Sequence, residues 1–426
     1  MTDDILHGPL VGKIFRFALP AAFTIICEQL VNNTDVVLLG KYVGDSAMAA
    51  VGNDTPVVSL LISLLVGLSL GANVVMAQAL GGKKKEAARR ILHTSLLFSV
   101  LVGLTFTAIG EILTGPLLSL MGVPEEVAGE ASLYLRIYLL ALPFLSLYNF
   151  EAALFRAWGD SRAPLYALAL SALVNGALDL LAGTSGWGLA GIVWATVFAY
   201  ALDGAVLFLM LLGKKEIPLS IHHVSLDGPS LRGIVKIGLP AGLQGMVFAI
   251  SNLIIQSALN SLGPEVMAAS SAAFVIEINV YAFVNGFGQA ATTFVGQNFG
   301  AGNLKRCFQV TRKTLLAGCS FIILLSLAID LLAGPILELF SRNPEIIDNG
   351  ILRIYAVTSF QVLNEVIEIL SGSLRGYGYS MPPALVTFVS ICGVRIVWVF
   401  TAFAAASSFF RLLICYPLSW LVTVVL

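Results

Sequence analysis

The sequence predicts an all-α integral membrane protein with twelve transmembrane helices in two six-helix lobes, related by a pseudo-twofold axis along the membrane normal. Three observations predict this fold class: an apolar composition, twelve apolar runs of membrane-spanning length, and a repeat that relates the two halves of the chain. Of the 426 residues, 58% are hydrophobic and only 12% are charged. A soluble protein has roughly 25% charged residues, so the composition excludes an ordinary soluble fold.

The charge and cysteine content exclude further classes of protein. The net charge of −1 gives no general attraction to nucleic acid, and we expect no nucleic-acid partner. The cysteines are scattered without a CxxC pair, so they are typical of apolar positions in membrane helices and not of a disulfide or metal framework. The five are Cys27, Cys307, Cys319, Cys392 and Cys415.

Twelve apolar runs follow one another along the chain. A membrane helix needs about 20 mainly apolar residues, and each run is of about this length or longer. In order, the runs cover 14–40, 47–80, 91–113, 131–155, 163–183, 188–212, 235–262, 266–299, 308–333, 347–374, 382–405 and 408–426. The second and eighth exceed a minimal span, so we expect these helices to be tilted or to extend beyond the bilayer.

The distribution of Lys and Arg predicts the orientation. If the N-terminus is inside, 18 of the 24 basic residues lie on the inner side, including the cluster Lys83, Lys84 and Lys85. The outer loops after the third and ninth runs are acidic instead ("GVPEEVAGE" and "NPEIIDNG"). Because cytoplasmic loops carry an excess of basic residues, we expect both termini in the cytoplasm and a multi-pass location in the plasma membrane.

An internal repeat relates the two halves of the chain. "FALPAAF" (17–23) returns as "IGLPAGL" (237–243), "LRIY" occurs at 135–138 and 352–355, and "FRAWGDSRAP" returns as "LRGYGYSMPP". Each unit holds an even number of spans, so both units enter from the same side, as in transporters with parallel repeats. The predicted division is an N-terminal lobe at 1–212, a cytoplasmic linker at 213–234 and a C-terminal lobe at 235–426. His222 and His223 lie in this linker, where we expect solvated side chains and no metal site.

Four motifs together resemble one family. They are "LVNNTDVVLLGKYVG" (30–44), "VNGALD" (174–179), "VGQNFGAGN" (295–303) and "LRGYG" (374–378). With them, nearly the whole chain resembles the multidrug and toxic compound extrusion (MATE) family of secondary transporters. The resemblance implies two lobes that form a V and efflux of organic compounds driven by inward flow of Na⁺ or H⁺. It implies no cofactor besides that ion, small organic substrates and membrane lipid as partners, and we expect a monomer.

Acidic residues inside the membrane are candidates for function. Asp35 and Asp179 fall about 6 to 8 Å from the outer ends of the first and fifth helices at 1.5 Å per residue, and Thr196 of the sixth lies at similar depth. Asn175 is one turn below Asp179 on the same face. The set suits a small hard cation or, without one, a shared proton. Interhelical hydrogen bonding is the alternative.

The resemblance implies that Asp35, Asn175 and Asp179 form the coupling-ion site, with Na⁺ as one candidate ligand. These three residues match the cation site in the N-terminal lobe of the family, and Thr196 matches it less closely.

The C-terminal lobe departs from one branch of the family. That branch has a glutamate in helix 7 and an aspartate in helix 10, where this chain has Phe248 and Asn364. Coupling through this lobe is therefore doubtful. For Glu365 and Glu368, beside Asn364, we expect one to pair with Arg395, because a lone buried arginine would be costly.

The remaining polar residues of the spans are candidates for the substrate cleft. Glu277 in the eighth helix is the first candidate for attracting a cationic substrate, with an interhelical hydrogen bond as its alternative. Glu28 and Asn32, on the face of the first helix that carries Asp35, and Asn364 complete the candidate cleft.

Other functions are weaker interpretations of the sequence. No GxxxxGK[ST] motif is present, so we expect no nucleotide-driven motor. An intramembrane enzyme would need a catalytic constellation, but the histidines lie at a terminus, a helix edge or in the linker, and we expect no enzyme. A two-lobe repeat favours a transporter that works by alternating access over a channel. A lipid-linked precursor flippase of the same superfamily is the closest rival, but flippases tend to have more helices and a cationic cavity.

Overall fold

The computed structural model describes residues 5–214, 217–219 and 225–426, and within these ranges the chain is helical without strands. His222 and His223 of the predicted linker lie outside the described residues. The helices of the first half are α1 Val11–Tyr42, α2 Asp45–Gly81, α3 Lys85–Leu120, α4 Glu125–Leu139, α5 Leu142–Ala157, α6 Arg162–Thr184 and α7 Gly188–Leu212. Those of the second half are α8 Gly228–Asn260, α9 Pro264–Gly300, α10 Leu304–Leu331, α11 Ala333–Glu338, α12 Pro344–Val357, α13 Gln361–Gly376, α14 Met381–Thr387, α15 Val394–Trp398 and α16 Phe409–Val425.

Every predicted apolar run coincides with a helix or with a broken helix. Among the described residues, nine helices are long and apolar enough to cross a membrane, and the pair α4 and α5, bent by 44°, adds a tenth. The tenth predicted run is divided into α12 and α13 by the 3₁₀ turn Thr358–Phe360. The last, α16, has 17 residues. The chain is thus an all-helical, multi-pass membrane protein, as predicted.

Glycines and polar caps fix where several helices begin. Gly44 and Gly263 have φ of 121° and 102° and directly precede α2 and α9. Residues with a Cβ rarely adopt this conformation. Asp227 caps α8 by accepting hydrogen bonds from the backbone and side chain of Ser230. These bonds hold the pKa of Asp227 below its usual range.

The chain divides into two compact units. The first unit is Phe23–Gly242. Within it, small residues let α2 and the first half of α8 approach closely. A Cβ added at Gly67 or Gly71 would overlap the backbone around Gly242 or Gly238, respectively. Such close crossings of small residues are typical of packed membrane helices.

The second unit contains the residues up to Ala22 and Leu243–Leu426. Phe15 of α1 packs edge-to-face on Phe287 of α9, with ring centroids 5.5 Å apart. Helices α9 and α13 pack closely, since a Cβ on Gly376 would come 2.8 Å from the carbonyl oxygen of Thr292.

The units differ in two segments from the predicted lobes 1–212 and 235–426. The first part of α1 packs with the C-terminal half of the chain, and the first part of α8 with the N-terminal half. The chain passes from one unit to the other two residues after Pro20 and two residues after Pro240. The predicted lobe boundaries stay a prediction.

Candidate functional site

Helices α1, α6 and α7 bring the four predicted ion-site residues close together in the first unit. Thr196 Oγ1 on α7 donates a hydrogen bond to Asp35 Oδ2 on α1, at 3.1 Å. The carboxyl groups of Asp35 and Asp179 are neighbours. Asp179 is fully buried and Asn175 is 1% exposed. The role of this group as an ion site stays a prediction.

The polar atoms of this group have few protein partners. In the described part of the chain, neither oxygen of Asp179 accepts a hydrogen bond, and both polar side-chain atoms of Asn175 lack a partner. Buried polar groups are normally hydrogen-bonded. Two neighbouring carboxylates repel each other unless one is protonated or a cation lies between them. The arrangement can therefore bind a proton or a small hard cation.

A small cavity extends from this group along α6 and α7. Its volume is about 20 Å³, enough for about one water molecule. Asn175 and Thr196 line one part, and Glu28 and Asp203 also line it. The cavity adjoins Asn175, although its lining does not include Asp35 or Asp179.

Asp203 is a buried acidic residue to which the sequence assigned no role. Its Oδ1 accepts a hydrogen bond of 2.7 Å from Ser171 Oγ on α6. Ser171 lies one turn before Asn175, and Asp203 lies two turns after Thr196. This helical spacing is the signal by which the sequence could have included Asp203 on the cavity face. Asn32 on α1 is exposed and does not line the cavity.

Glu277 has an internal partner that the sequence did not predict. Arg353 donates to both of its carboxylate oxygens, at 2.7 and 2.9 Å, and both side chains are almost fully buried. The guanidinium of Arg353 is an internal counter-ion for Glu277, and the role of Glu277 in attracting a cationic substrate stays a prediction. Pairing between helices, the alternative interpretation of Glu277, is what the structure contains.

The predicted pairing of Arg395 with Glu365 or Glu368 is not observed. Arg395 donates to Ser419 and Asn252 instead. The sequence prediction missed this because helical spacing cannot tell which distant helices meet.

The two glutamates have other neighbours. Glu368 lies 3.9 Å from Arg375 Nη1 and 3.5 Å from the hydroxyl of Tyr281. Glu365 is fully buried beside Gly318 of α10, and its carboxylate has no hydrogen-bond partner among the described residues. Asn364 donates to Gln361, one turn earlier on α13.

Comparison with known proteins decides the family. The family model MatE matches residues 20–181 and 240–401, one stretch in each half. This chain belongs to the MatE family. The double match agrees with the internal repeat, and the predicted family is confirmed.

Relatives of this MatE chain extend over most of its length. The probable multidrug resistance protein YoeA of Bacillus subtilis is 28% identical, over 89% of this chain and 84% of the relative. The probable multidrug resistance protein NorM of Thermotoga maritima is 26% identical, over 90% and 84%. A crystal structure of MATE in complex with MaL6 has the same fold, with a TM-score of 0.92 and 21% identity, and covers 99% of this chain and 95% of that one.

Proposed function

We propose that this MatE chain is a multidrug efflux antiporter in which entry of Na⁺ or H⁺ drives export of organic, mainly cationic compounds. The observation that carries the proposal is the buried pair Asp35 and Asp179, with Thr196 hydrogen-bonded to it and Asn175 unsatisfied beside it. The names of its relatives, probable multidrug resistance proteins, support efflux of drugs.

The coupling ion compensates the negative charge of the acidic pair. In the loaded state, Na⁺ or a proton relieves the repulsion between Asp35 and Asp179, and the Asn175 amide oxygen and the Thr196 hydroxyl supply neutral oxygen ligands if the ion is Na⁺. In the empty state the two carboxylates repel each other. The ion therefore changes the relative stability of conformations in which these groups lie close together or apart.

Helix α1 is suited to carry this change along the molecule. Asp35 lies in its outer half, and Pro20 interrupts the backbone hydrogen bonds nearer its beginning. A proline inside a helix removes a donor and permits a bend. Loading of the pair from outside and release inside, coupled to a bend of α1, alternately exposes the substrate path to the two sides of the membrane.

The decisive experiment separates the two driving ions. The purified protein is reconstituted into proteoliposomes, and transport of a fluorescent organic cation is followed with a pH gradient alone, a Na⁺ gradient alone, or neither. We expect one of the two gradients to drive transport of the organic cation in the opposite direction. We expect no transport in the condition without a gradient. Transport that is equal in all three conditions would contradict coupling. Translocation of a labelled lipid without cation counterflow would indicate a flippase.

The proposal places the chain in the plasma membrane as a monomer, with both termini in the cytoplasm. It needs no cofactor beyond the coupling ion and no catalytic group.

A further inference from the structure

The turn between α2 and α3, residues 81–90, carries a concentrated positive charge, and we name it the basic turn. Its last eight residues, "KKKEAARR", include five basic residues and one acidic residue, and Lys83, Lys84 and Lys85 are exposed. Among the described residues, only Arg90 of the five basic residues has an ion-pair partner, Asp227 at 3.8 Å. Helices α2 and α3 are both long and apolar enough to cross a membrane. The basic turn therefore lies at a membrane surface.

The second half of the chain contains the same turn with other residues. The internal repeat relates "MAQALGGKKKEAARR" (76–90) to "VGQNFGAGNLKRCFQ" (295–309). This alignment pairs Lys83 with Gly302 and Lys84 with Asn303. The backbone N–H groups of Lys84 and Asn303 both donate to the carbonyl oxygen five positions earlier, at 3.0 and 2.9 Å. The two turns therefore share one pattern of backbone hydrogen bonds.

Two of the lysines occupy positions of this turn that do not favour lysine. Lys83 has a φ of 54°, and its counterpart Gly302 has a φ of 74°. Among the described residues, every other residue with a positive φ is a glycine, because a Cβ makes this conformation costly. Asn303 caps α10 by accepting a hydrogen bond from the backbone N–H of Arg306, whereas Lys84 precedes α3 without a side-chain cap. Local stability thus favours glycine and asparagine here, and the two lysines need an explanation outside the fold of the turn.

We propose that the basic turn binds the phosphate groups of anionic phospholipids. A lysine ammonium group binds phosphate as a point charge, and clusters of basic residues directly beside membrane-spanning helices attract anionic lipid headgroups. The ends of α2 and α3 hold the three lysines at the surface where these headgroups lie, and the lysines have no protein anion to compete with the lipid.

The inference applies to the first half of the chain alone. In the second turn, residues 302–309 contain only two basic residues, Lys305 and Arg306. Arg306 donates hydrogen bonds to the backbone carbonyl oxygens of Ile5 and Gly8. That guanidinium is therefore engaged within the protein, and the second turn lacks the cluster of free charges.

The test introduces the residues of the second turn into the first. Lys83→Gly combined with Lys84→Asn removes two charges and gives the backbone the residues it has at positions 302 and 303. The full chain is purified in a neutral detergent. Fluorescence anisotropy then measures its affinity for phosphatidylglycerol and for phosphatidylcholine, each labelled on the same acyl chain.

We expect the double variant to bind phosphatidylglycerol about 25-fold more weakly than the parent chain, about fivefold for each lysine, and phosphatidylcholine within about twofold. Its unfolding temperature without added lipid should equal or exceed that of the parent chain, because strain is removed and a cap is gained. A double variant that binds phosphatidylglycerol as the parent does, or that loses affinity for both lipids equally, would overturn the proposal.

Two single variants complete the test. Lys85→Gln lies in the first turn of α3 and needs no change of the backbone, so it keeps the test decisive if the double variant fails to fold. It should weaken binding of phosphatidylglycerol about fivefold, and unchanged binding would count against the proposal. Lys305→Asn, at an exposed position of the second turn, is the matched control and should bind both lipids as the parent does.

Added salt distinguishes lipid headgroups from free phosphate. Sodium phosphate and sodium chloride of equal ionic strength should weaken binding of phosphatidylglycerol equally, because both screen the exposed lysines. Stronger competition by phosphate would show a site for free phosphate and would overturn the proposal. These measurements use no ion gradient and no organic cation, so their outcome is independent of the coupled transport proposed for the chain.

Discussion

At the scale of single residues, Asp179 and Asn175 combine full burial with unsatisfied polar atoms. We predict that Asp179→Asn abolishes ion coupling and leaves the protein folded, because the substitution keeps the size and removes the charge. In the parent chain, the coupling ion should change substrate affinity by about 5- to 150-fold, the usual range for coupled sites. In the variant, affinity should be the same at all Na⁺ concentrations and at all pH values tested. Equilibrium binding of a fluorescent cation measures this.

A double variant tests whether the two carboxylates act as one unit. Asp35→Asn with Asp179→Asn should be no worse than Asp179→Asn alone, since groups of one site are not additive. Glu125→Gln, at an exposed position at the beginning of α4, is the matched control and should behave as the parent. Gradient-driven efflux near the parent rate in Asp179→Asn would mean that these groups only connect helices.

The ion pair between Glu277 and Arg353 predicts a loss of stability. Glu277→Gln leaves the Arg353 guanidinium buried without its anion, and removing one partner of a buried pair costs about 3–5 kcal/mol. The control is Glu111→Gln, whose partner Arg136 lies at 2.9 Å but is 51% exposed, and a surface pair contributes about 0–1 kcal/mol. Thermal unfolding in detergent should separate the two variants. Selective loss of cationic substrates with unchanged stability would restore the predicted role in substrate attraction.

Local spacing decides which of these residues could be predicted. Asn175 and Asp179 are one helical turn apart, and helix depth alone places Asp35 and Thr196 near them. Glu277 and Arg353 are 76 residues apart, and their pairing depends on how two helices pack. The same holds for Arg395 and Asn252, which lie 143 residues apart. No periodicity in the sequence carries that information.

At the scale of helices, the length of an apolar run predicts that a helix exists and where it lies. It does not predict whether that helix is continuous. The fourth run contains a bend of 44° between α4 and α5, and π-helical stretches interrupt the eleventh. These breaks replace one backbone hydrogen-bond pattern by another without changing the hydrophobic content, so a count of apolar residues cannot detect them. Pro143 at the beginning of α5 is a local signal for the first break.

The close crossing of α2 with α8 predicts a steric effect. Gly67→Ala would place a methyl group on the backbone of Gly242, and overpacking of this kind costs about 1–3 kcal/mol. Gly52 in the same helix has open space around it, so Gly52→Ala should be neutral or stabilise the helix by up to about 1 kcal/mol. Unfolding temperatures of the two variants in the same detergent check this. A Gly67→Ala protein as stable as Gly52→Ala would show that the crossing adapts.

At the scale of the whole molecule, the repeat in the sequence predicts two halves but not how their first helices pack. The part of α1 up to Ala22 joins the C-terminal half, and the part of α8 up to Gly242 joins the N-terminal half. The repeated segments "FALPAAF" and "IGLPAGL" mark the two places. Their similarity shows that the two halves have related local structure. The choice of neighbour depends instead on contacts between residues far apart in the chain, such as Gly67 with Gly242, 175 positions apart, and Phe15 with Phe287, 272 positions apart.

The orientation of the chain is the last prediction. Lys84, Glu125, Lys305 and Glu345 are all exposed at ends of helices, so a single cysteine at each position should be accessible to a thiol reagent. Because basic residues remain in the cytoplasm, positions 125 and 345 should react with an impermeant maleimide on intact cells, and positions 84 and 305 only after permeabilisation. The background lacks the five native cysteines, of which Cys27 and Cys319 are only partly buried.

Since both halves are predicted to enter from the same side, positions 84 and 305 must behave alike. Labelling of one but not the other on intact cells would contradict the parallel repeat, and labelling of both would reverse the orientation and with it the direction proposed for transport.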